Sequence, residues 1–328
     1  MASGSVAGPW AARPRCGTLA DRVPMKATLV IPTYRRPERL RALLECLTHQ
    51  EGDVLARVVV CDDGSGDDTE NVARSFEGRL PLVYAWQEDL GFRAGQARNM
   101  GIREAIGDVV IFVDDDVLVR PDFARAHVEA HARLRDAGAR RSVVLGFRHR
   151  THELVGRVPS WEEILAGERD DRIADLKGAA VADQSDPWIY VYSCNFSVTL
   201  GGPELVFDDS FHGWGIEDTE LGYRLHRAGY AIVDEPRARV LHVEDPAPRD
   251  PFRCEERALP PTYDSYVHNA VRFMDKYPDD EALARWVRGD LRWYVVDERG
   301  RFVKNGYEND VELVLARCRA ARARVDAA

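Results

Sequence analysis

Three consecutive aspartates, Asp114, Asp115 and Asp116, end an apolar run in the stretch VIFVDDDVLVR. Carboxylates this close together repel one another unless a cation or hydrogen-bond donors offset their charge. An Asp-x-Asp pair at the end of a strand suits Mg²⁺ or Mn²⁺, which binds carboxylate oxygens and keeps coordination positions open for phosphate and water. Taken alone, the triplet is equally well explained as a solvated acidic loop or a helix cap.

Further polar clusters follow other apolar segments. In CDDGS, residues 61–65, the carboxylates could hold a base or a ribose, while Gly64 allows a tight turn. In PTYRR, residues 32–36, Tyr34 could stack on a base and the arginines could meet phosphate. In isolation, each motif is more readily explained as an ordinary turn or a surface loop.

The segment GFRAGQARN, residues 91–99, joins a glycine-containing loop to the start of a predicted helix. Arg93 and Arg98 could meet phosphate or carboxylate groups there, or Arg98 could form a structural salt bridge. The segment matches neither a P-loop nor the GxGxxG dinucleotide pattern.

The most specific stretch is GWGIEDTELGYRL, residues 213–225. Two glycines flank Trp214, whose ring could stack on the flat apolar face of a sugar. Glu217 and Asp218 begin a predicted helix, where the helix dipole is expected to favour their ionised forms, and an ionised carboxylate can act as a general base. The alternative is that both acids cap the helix and that Trp214 belongs to the core.

His242 follows a short apolar run in VLHVEDP. Imidazole is a common ligand of Mn²⁺, although a lone histidine is more often structural. Only the other polar clusters favour a metal-binding role for this side chain.

The alternation of apolar segments and helical patterns predicts a scaffold that brings these clusters together. Strands are expected at ATLVIPT, ARVVVCDDGS, LPLVYAW and DVVIFVDDD, and helices over residues 37–49, 67–77, 94–106 and 122–137. Continuous apolar strands separated by helices indicate a mostly parallel sheet with both faces covered. Ligands bind beyond the carboxyl ends of such strands, where the polar clusters lie.

The second half of the chain is less regular. Residues 151–187 are expected to form a long excursion or lid with a helix starting at Trp161, and Trp188–Leu200 is expected to return as a strand. A helix is predicted from Glu217 to Ala228. Residues 250–328 are expected to be mostly helical, with a hairpin at WYVVDERGRFVKNG.

Composition limits the classes of partner and compartment. The formal net charge of −10 argues against a nucleic-acid partner. The six cysteines are scattered without a CxxC pair, which indicates reduced thiols in a cytoplasmic protein. No apolar run reaches the roughly 18 residues of a membrane span. Residues 1–24 lack the apolar core of a secretory signal, and we expect a disordered leader there.

Taken together, the motifs resemble a known family. VIPTYRR, VVVCDDGS, GFRAGQARN, VIFVDDDV, GWGIEDTELGYRL and VLHVEDP occur in the order seen in GT-A-fold, family 2 inverting glycosyltransferases, over about residues 26–245. The later part resembles the galactosyltransferase-type C-terminal region of chondroitin-polymerase-like and polypeptide N-acetylgalactosaminyltransferase-like enzymes.

The resemblance implies an α/β, GT-A (Rossmann-like) fold whose mostly parallel sheet is flanked by helices. The implied glycosyltransferase domain covers residues 25–249, with a nucleotide-binding half at 25–120 and an acceptor-binding half at 150–249. Residues 250–328 would form a helical C-terminal extension that shapes the acceptor site or a homodimer interface.

The resemblance also implies roles for individual residues. The nucleotide-sugar would be bound by Pro32, Thr33, Tyr34, Arg36, Asp63, Arg98, Asp114 and Asp115, with the register between the last two left open. Asp116 and His242 would bind Mn²⁺ or Mg²⁺. Asp218 would be the catalytic base, Glu217 would hold the acceptor, and Trp214 would line the acceptor pocket.

The implied reaction is the inverting transfer of one sugar from a nucleotide-sugar, with UDP as the expected nucleotide, to a hydroxyl of a glycan or small-molecule acceptor. Processive family 2 synthases carry membrane helices and a Gln-x-x-Arg-Trp motif. Here EALARW has Arg285 and Trp286 but Ala282 in place of the glutamine, which favours a soluble enzyme that adds one sugar. The alternatives are a non-catalytic nucleotide- or carbohydrate-binding protein and, with less support, a sugar nucleotidyltransferase, whose glycine-rich GxGTR-like loop is missing from VIPTYRR.

Overall fold

The computed structural model describes residues 25–154, 156–244, 262–298, 300–304 and 306–325. The expected leader at residues 1–24 and the first part of the expected extension, residues 250–261, lie outside the described residues.

Strands and helices alternate through the first half of the chain, as the apolar pattern predicts. The strands are β1 (Ala27–Thr33), β2 (Leu55–Asp62), β3 (Leu82–Trp86), β4 (Val109–Val113), β5 (Val117–Leu118), β6 (Ser142–Leu145), β7 (Arg148–Thr151), β8 (Glu168–Arg169), β9 (Asn195–Thr199), β10 (Ala231–Asp234), β11 (Val240–Val243), β12 (Tyr294–Val296) and β13 (Phe302–Lys304). The α-helices are α1 (Pro37–Leu47), α2 (Thr69–Arg74), α3 (Ala94–Arg103), α4 (Phe123–Asp136), α5 (Trp161–Ala166), α6 (Asp171–Asp175), α7 (Glu217–Arg227), α8 (Thr262–Lys276), α9 (Glu281–Leu291) and α10 (Val311–Val325).

The main sheet has seven strands in the order β10-β6-β9-β4-β1-β2-β3. Strands β4, β1, β2 and β3 are parallel, and β10 is parallel to β6. Every residue of β1 and of β4 is buried, because helices cover both faces of a parallel sheet. The carboxyl ends of β1, β2 and β4 therefore meet at one edge, as expected from the sequence.

The prediction of one long strand over Trp188–Leu200 is wrong. Only β9, Asn195–Thr199, is a strand, and it runs antiparallel between β4 and β6. Residues Pro187–Tyr190 form a 3₁₀ turn, and Tyr192, Ser193 and Cys194 leave the sheet to line a cleft. The apolar character that suggested a strand comes instead from the burial of Trp188 and Val191 in the core.

A second, four-stranded sheet has the order β5-β11-β7-β8. Strand β11 pairs antiparallel with β5, so that His242 lies opposite Val117. The Val243 N–H donates to the Asp116 carbonyl oxygen at 2.8 Å. This pairing brings His242 next to the aspartate triplet, although the two are far apart in sequence.

The described part of the C-terminal extension packs on the same core as the sheet. Val267 and Phe273 of α8 belong to one buried cluster with Phe112 of β4, Phe196 of β9 and Leu221 of α7. Strands β12 and β13 form the expected hairpin. Across the described ranges, no helix has the length and apolar character needed to cross a membrane.

Two fully buried histidines connect α4 to the sheet. Ser197 Oγ lies 2.8 Å from both His127 Nδ1 and His131 Nε2. The other ring nitrogens reach Asn195 Oδ1 at 3.1 Å and Ser142 Oγ at 2.7 Å. Burial lowers the pKa of His127 to about 4 and that of His131 to about 3, so both rings are neutral in the folded protein at neutral pH.

These histidines should make the fold sensitive to acid. The unfolded chain protonates its histidines near their usual pKa of about 6.5, whereas the folded protein keeps both rings neutral to lower pH. Stability is therefore lost as the pH falls from about 6.5 through the folded pKa values.

The substitution His131→Gln removes one of these titrations but also disturbs the hydrogen bonds. We expect the variant to be less stable at pH 7, and we expect its deficit against wild type to shrink by about 1.4 kcal/mol for each pH unit below about 6.5. Urea unfolding at pH 7, 6 and 5 measures this difference. A deficit that stays constant across the three pH values would contradict the assignment.

Candidate active site

A cleft of about 1010 Å³ opens at the carboxyl ends of β1, β2 and β4. The thirteen predicted site residues all line it, namely Pro32, Thr33, Tyr34, Arg36, Asp63, Arg98, Asp114, Asp115, Asp116, Trp214, Glu217, Asp218 and His242. The structure thus brings together side chains from both halves of the chain, while their roles in binding and catalysis stay predictions.

The aspartates of the triplet point to three different partners. Asp114 Oδ1 accepts a hydrogen bond from Arg98 Nη2 at 2.7 Å. Asp115 Oδ2 accepts one from Thr33 Oγ1 at 2.7 Å, and Asp116 Oδ2 accepts one from Arg36 Nη1 at 2.8 Å. Arg36 Nη1 also reaches Asp115 Oδ1 at 3.5 Å, so Arg98, Thr33 and Arg36 together offset the repulsion among the three carboxylates.

Asp115 and Asp116 differ in their pKa as well as in their hydrogen-bond partners. Burial, followed by the charge of Asp116, raises the pKa of Asp115 to about 7. Burial also opposes the ionisation of Asp116, but His242 together with Arg36 and Arg39 lowers its pKa below the usual value. Asp115 therefore contacts Thr33 of β1 with a weakened acidity, whereas the surrounding cations favour the ionised form of Asp116.

Asp116 and His242 offer a mixed pair of metal donors. His242 Nε2 lies 3.2 Å from Asp116 Oδ1, and Glu244 Oε1 lies 3.6 Å from His242 Nδ1. Asp116 Oδ1 is buried and has no hydrogen-bond partner among the described residues. Burial works against a charged His242, but Asp116 and Glu244 raise its pKa to about 9.

A buried carboxylate oxygen 3.2 Å from an imidazole nitrogen fits a divalent cation of the Mn²⁺ or Mg²⁺ type, which would take the place of the imidazole proton. In the described part of the chain, no group of three His, Cys, Asp or Glu side chains gathers around one point. Two protein ligands are compatible with such ions, which usually keep several positions for water and phosphate oxygens.

Arg98 joins the triplet to the acceptor motif. Its side chain is only 5% exposed, and its Nη1 lies 3.4 Å from Glu217 Oε1 while its Nη2 binds Asp114. Of the two alternatives from the sequence, phosphate contact or salt bridge, the structure shows the salt bridge. The guanidinium crosses the floor of the cleft between Asp114 and Glu217.

The expectation that Glu217 is ionised at the start of α7 is wrong. The helix dipole was expected to favour its ionised form, but burial and the neighbouring charge of Asp218 raise the pKa of Glu217 to about 7. Here desolvation outweighs the dipole. Neither acid caps α7, because its N-cap is Ile216, which has φ 76° and no side-chain hydrogen bond to the helix. A β-branched residue in this left-handed conformation is strained, as is common beside functional groups.

Asp218 is held in one orientation by four donors. Its Oδ2 accepts from the Ser193 N–H at 2.9 Å and from Ser193 Oγ at 3.2 Å. Its Oδ1 accepts from the Thr219 N–H at 2.7 Å and from Thr219 Oγ1 at 3.3 Å. The carboxylate is half-buried and lines the cleft, so it is both fixed and reachable.

Helix α8 fixes the loop that carries Trp214. A Cβ at Gly213 would lie 2.5 Å from Ser265, and one at Gly215 would lie 2.6 Å from Tyr266, so only glycine allows this close packing. Asn269 Nδ2 donates to the carbonyl oxygens of His212 and Gly215. The extension therefore contributes directly to the geometry of the site.

The end of the cleft that holds Tyr34 and Asp63 is less open than the sequence suggests. Asp63 accepts hydrogen bonds from Gln87 Nε2 at 2.6 Å and from the Arg93 N–H at 2.7 Å, so it already anchors a loop. Burial raises its pKa. Tyr34 is 40% exposed and donates its hydroxyl to Asp89 Oδ2 at 2.8 Å. The Tyr34 ring is therefore fixed and partly open to a ligand.

Sequence reasoning missed several residues of the cleft. Arg39 lies 3.5 Å from Asp116, and its position one helical turn after Arg36 could have revealed it. Ser193 and Arg148 also line the cleft, but their surrounding sequences carry no motif. Tyr266, Asp290 and Lys304 of the extension line it as well. The contacts of these residues depend on packing between distant segments.

The first half of the chain matches a known protein family. Residues 28–180 match the family described as Glycosyl transferase family 2. The chain is 33% identical over 270 residues to a validoxylamine A glucosyltransferase from Streptomyces hygroscopicus subsp. jinggangensis, in an alignment that covers 76% of this chain and 61% of the relative. The chain therefore spans about three fifths of that relative's length.

Comparison with solved structures shows the GT-A fold. The mannosyltransferase PcManGT from Pyrobaculum calidifontis, in complex with GDP-Man and Mn²⁺, matches with a TM-score of 0.57 at 16% identity, covering 98% of this chain and 79% of the other. Residues 1–349 of S. aureus TarS, in complex with UDP-GlcNAc, match with a TM-score of 0.56 at 17% identity, covering 82% and 72%. The predicted fold is confirmed, and residues 28–180 match the glycosyltransferase family that the sequence motifs resemble.

The raised pKa of Glu217 should appear in the pH dependence of stability. In the unfolded chain a glutamate ionises near pH 4.5, whereas in the folded protein Glu217 ionises near pH 7, so its burial destabilises the fold increasingly between these values. The substitution Glu217→Gln should therefore raise the melting temperature more at pH 8 than at pH 5. The difference corresponds to at most about 3 kcal/mol.

Thermal melting of the two proteins at pH 5 and pH 8 measures this effect. Glu162→Gln, at an exposed position of α5, serves as a matched control and should change the melting temperature equally at both values. An equal shift for Glu217→Gln at both pH values would show that Glu217 is not held in its neutral form.

Proposed function

Because this chain carries a Glycosyl transferase family 2 domain on a GT-A fold, we propose that it is a metal-dependent, inverting glycosyltransferase. It transfers one sugar from a nucleotide-sugar, with UDP as the proposed nucleotide, to a hydroxyl group of an acceptor. The acceptor is a glycan or a small molecule.

One observation carries this proposal: the aspartate triplet and Asp218 line the same cleft, with Arg98 between them. Arg98 contacts Asp114 on one side and Glu217 on the other, and Asp218 follows Glu217 directly. A donor held at the triplet and an acceptor held at Glu217 would therefore meet in one space. Binding a nucleotide alone would not require a carboxylate oriented on the acceptor side.

Asp116 and His242 are the residues that would hold the divalent cation. When bound, such an ion neutralises the charge that develops on the departing diphosphate. Support comes from the unpartnered Asp116 Oδ1 and its 3.2 Å distance to His242 Nε2. The Mn²⁺ in the complex of the similar PcManGT fold is consistent with this assignment.

Asp218 acts as the general base. It takes the proton of the acceptor hydroxyl, whose oxygen attacks the anomeric carbon and forms the new glycosidic bond. The bond from that carbon to the diphosphate oxygen breaks, and its electron pair leaves with the diphosphate. Attack opposite to the leaving group inverts the configuration. The donors from Ser193 and Thr219 keep the carboxylate oriented for this step.

Residues at the other end of the cleft would bind the nucleotide. Tyr34 offers a partly exposed ring for stacking on the base, and Pro32, Thr33, Arg36 and Asp63 surround it. Asp114, with Asp115 behind it, would face the ribose and the donor sugar. UDP is favoured by the motif resemblance and by the UDP-GlcNAc complex of the similar TarS fold.

An aromatic wall would bind the acceptor. Trp214 is 46% exposed, and its ring lies 5.6 Å from that of Tyr266, which in turn stacks on Tyr294 at 5.8 Å. Flat apolar faces of sugar rings pack well on such side chains. Since Tyr266 and Tyr294 belong to the extension, residues 262–304 would shape acceptor choice.

Replacing the proposed base separates chemistry from binding. The substitution Asp218→Asn keeps the shape of the side chain but removes its basicity, so nucleoside diphosphate release should fall by about 100- to 10,000-fold. Donor affinity should change by less than about threefold. The assay supplies Mn²⁺, a panel of nucleotide-sugars and a panel of acceptors, and Asp68→Asn, an exposed carboxylate outside the cleft, is the control.

Other outcomes of this assay point to the alternative functions. Release of pyrophosphate instead of nucleoside diphosphate would indicate a sugar nucleotidyltransferase. Mn²⁺-dependent nucleotide binding without turnover on any donor and acceptor pair would indicate a binding protein. Full activity in Asp218→Asn would contradict the assignment of the base.

The metal assignment is tested by His242→Ala. This variant loses one of two proposed ligands, so the Mn²⁺ concentration needed for half-maximal nucleotide binding should rise by about tenfold or more. Titration of Mn²⁺ in the presence of a fluorescent nucleotide measures this change independently of turnover. An unchanged titration curve would contradict the assignment of His242.

A further inference from the structure

Six arginines line the cleft, and five of them have a carboxylate oxygen within 4.0 Å. These five arginines are Arg36, which pairs with Asp115 and Asp116, Arg39 with Asp116, Arg98 with Asp114 and Glu217, Arg150 with Glu168, Asp171 and Glu244, and Arg172 with Asp170. Arg148 is the exception, because no carboxylate among the described residues lies within that distance of its guanidinium.

The hydrogen bonds of Arg148 leave most of its capacity unused. Its Nε is buried and has no partner in the described part of the chain. Its guanidinium makes one hydrogen bond there, from Nη1 to Cys194 Sγ at 3.7 Å, and a thiol sulfur is a weak acceptor. The other donors of this half-buried guanidinium are therefore available to a bound anion.

The position of Arg148 connects the two sides of the site. Strand β7 carries Arg148 and runs parallel to β11, which carries His242. On its other side Arg148 reaches Cys194, the neighbour of Ser193, which holds Asp218. Arg148 therefore links the wall that carries the proposed metal ligands to the segment that orients the proposed base.

The electrostatic surroundings agree with this position. Burial acts to lower the pKa of Arg148, yet Cys194, Asp170, Glu244 and Asp114 together raise it above its usual value. The guanidinium is thus charged and interacts electrostatically with acids on both sides of the cleft. None of these carboxylates lies within 4.0 Å of it in the described part of the chain.

We propose that Arg148 binds an oxyanion of the donor substrate, either an oxygen of the diphosphate or a carboxylate on the transferred sugar. This inference rests on the proposed function, since it requires a nucleotide-sugar in the cleft. The planar guanidinium can donate two parallel hydrogen bonds to a phosphate or a carboxylate. In this position it would hold the anion next to the Asp116–His242 pair.

Calorimetric binding of UDP, UDP-glucuronate and uridine tests the proposal in the presence and in the absence of Mn²⁺. Arg148→Met keeps the bulk of the side chain and removes its charge. We expect it to weaken UDP binding by about tenfold to a hundredfold and to leave uridine binding unchanged. The UDP affinity of Arg148→Lys should lie between that of wild type and that of Arg148→Met. Loss confined to UDP-glucuronate would assign the anion to the sugar carboxylate.

Two controls separate anion binding from structural damage. The melting temperature of ligand-free Arg148→Met should stay close to that of wild type, because the guanidinium makes one weak hydrogen bond in the described part of the chain. Arg150→Met, on the same strand, should weaken UDP binding by less than about threefold, since three carboxylates already balance the charge of Arg150.

Three results would overturn the inference. These are unchanged binding of both anionic ligands to Arg148→Met, an equal loss of uridine and UDP, and an equal loss in Arg150→Met. If wild-type protein binds neither UDP nor GDP with Mn²⁺, the proposed function is wrong, and the inference about Arg148 is then wrong as well. The wild-type titration therefore distinguishes the two kinds of failure.

Discussion

The buried guanidinium of Arg98 determines how the whole cleft can be built. Asp114 comes from the end of β4 and Glu217 from the start of α7, and the buried guanidinium of Arg98 lies 2.7 Å from the first carboxylate and 3.4 Å from the second. Helix α3 supplies that cation from the face of the sheet. One side chain thus holds together the groups proposed to bind the donor and the acceptor.

The rest of the molecule supports this arrangement from outside the matched family segment. The match ends at residue 180, whereas the proposed base Asp218 and the proposed metal ligand His242 follow it. Pairing of β5 with β11 brings His242 to the triplet, and helix α8 holds the glycine-rich loop before Asp218. The site is therefore a property of the whole described chain, including the extension.

The sequence predicts the scaffold and the location of the site, because both follow from local patterns. Buried strands have continuous apolar sequences, which are easily recognised. Polar clusters that follow such strands meet at one edge of a parallel sheet. The irregular segment at Tyr192–Cys194 could not be predicted, since its apolar residues are buried outside the sheet. The weakly paired guanidinium of Arg148 and the raised pKa of Glu217 depend on packing by distant segments, which no short motif encodes.

The central claim is that donor and acceptor groups act in one cleft around a cation. Diffraction at the manganese absorption edge, from crystals grown with UDP and Mn²⁺, tests it most directly. The account predicts one anomalous peak between Asp116 Oδ1 and His242 Nε2, with the diphosphate beside it and Asp218 on the opposite side of the space left for the sugar. A peak elsewhere, or a nucleotide bound outside the cleft, would contradict it.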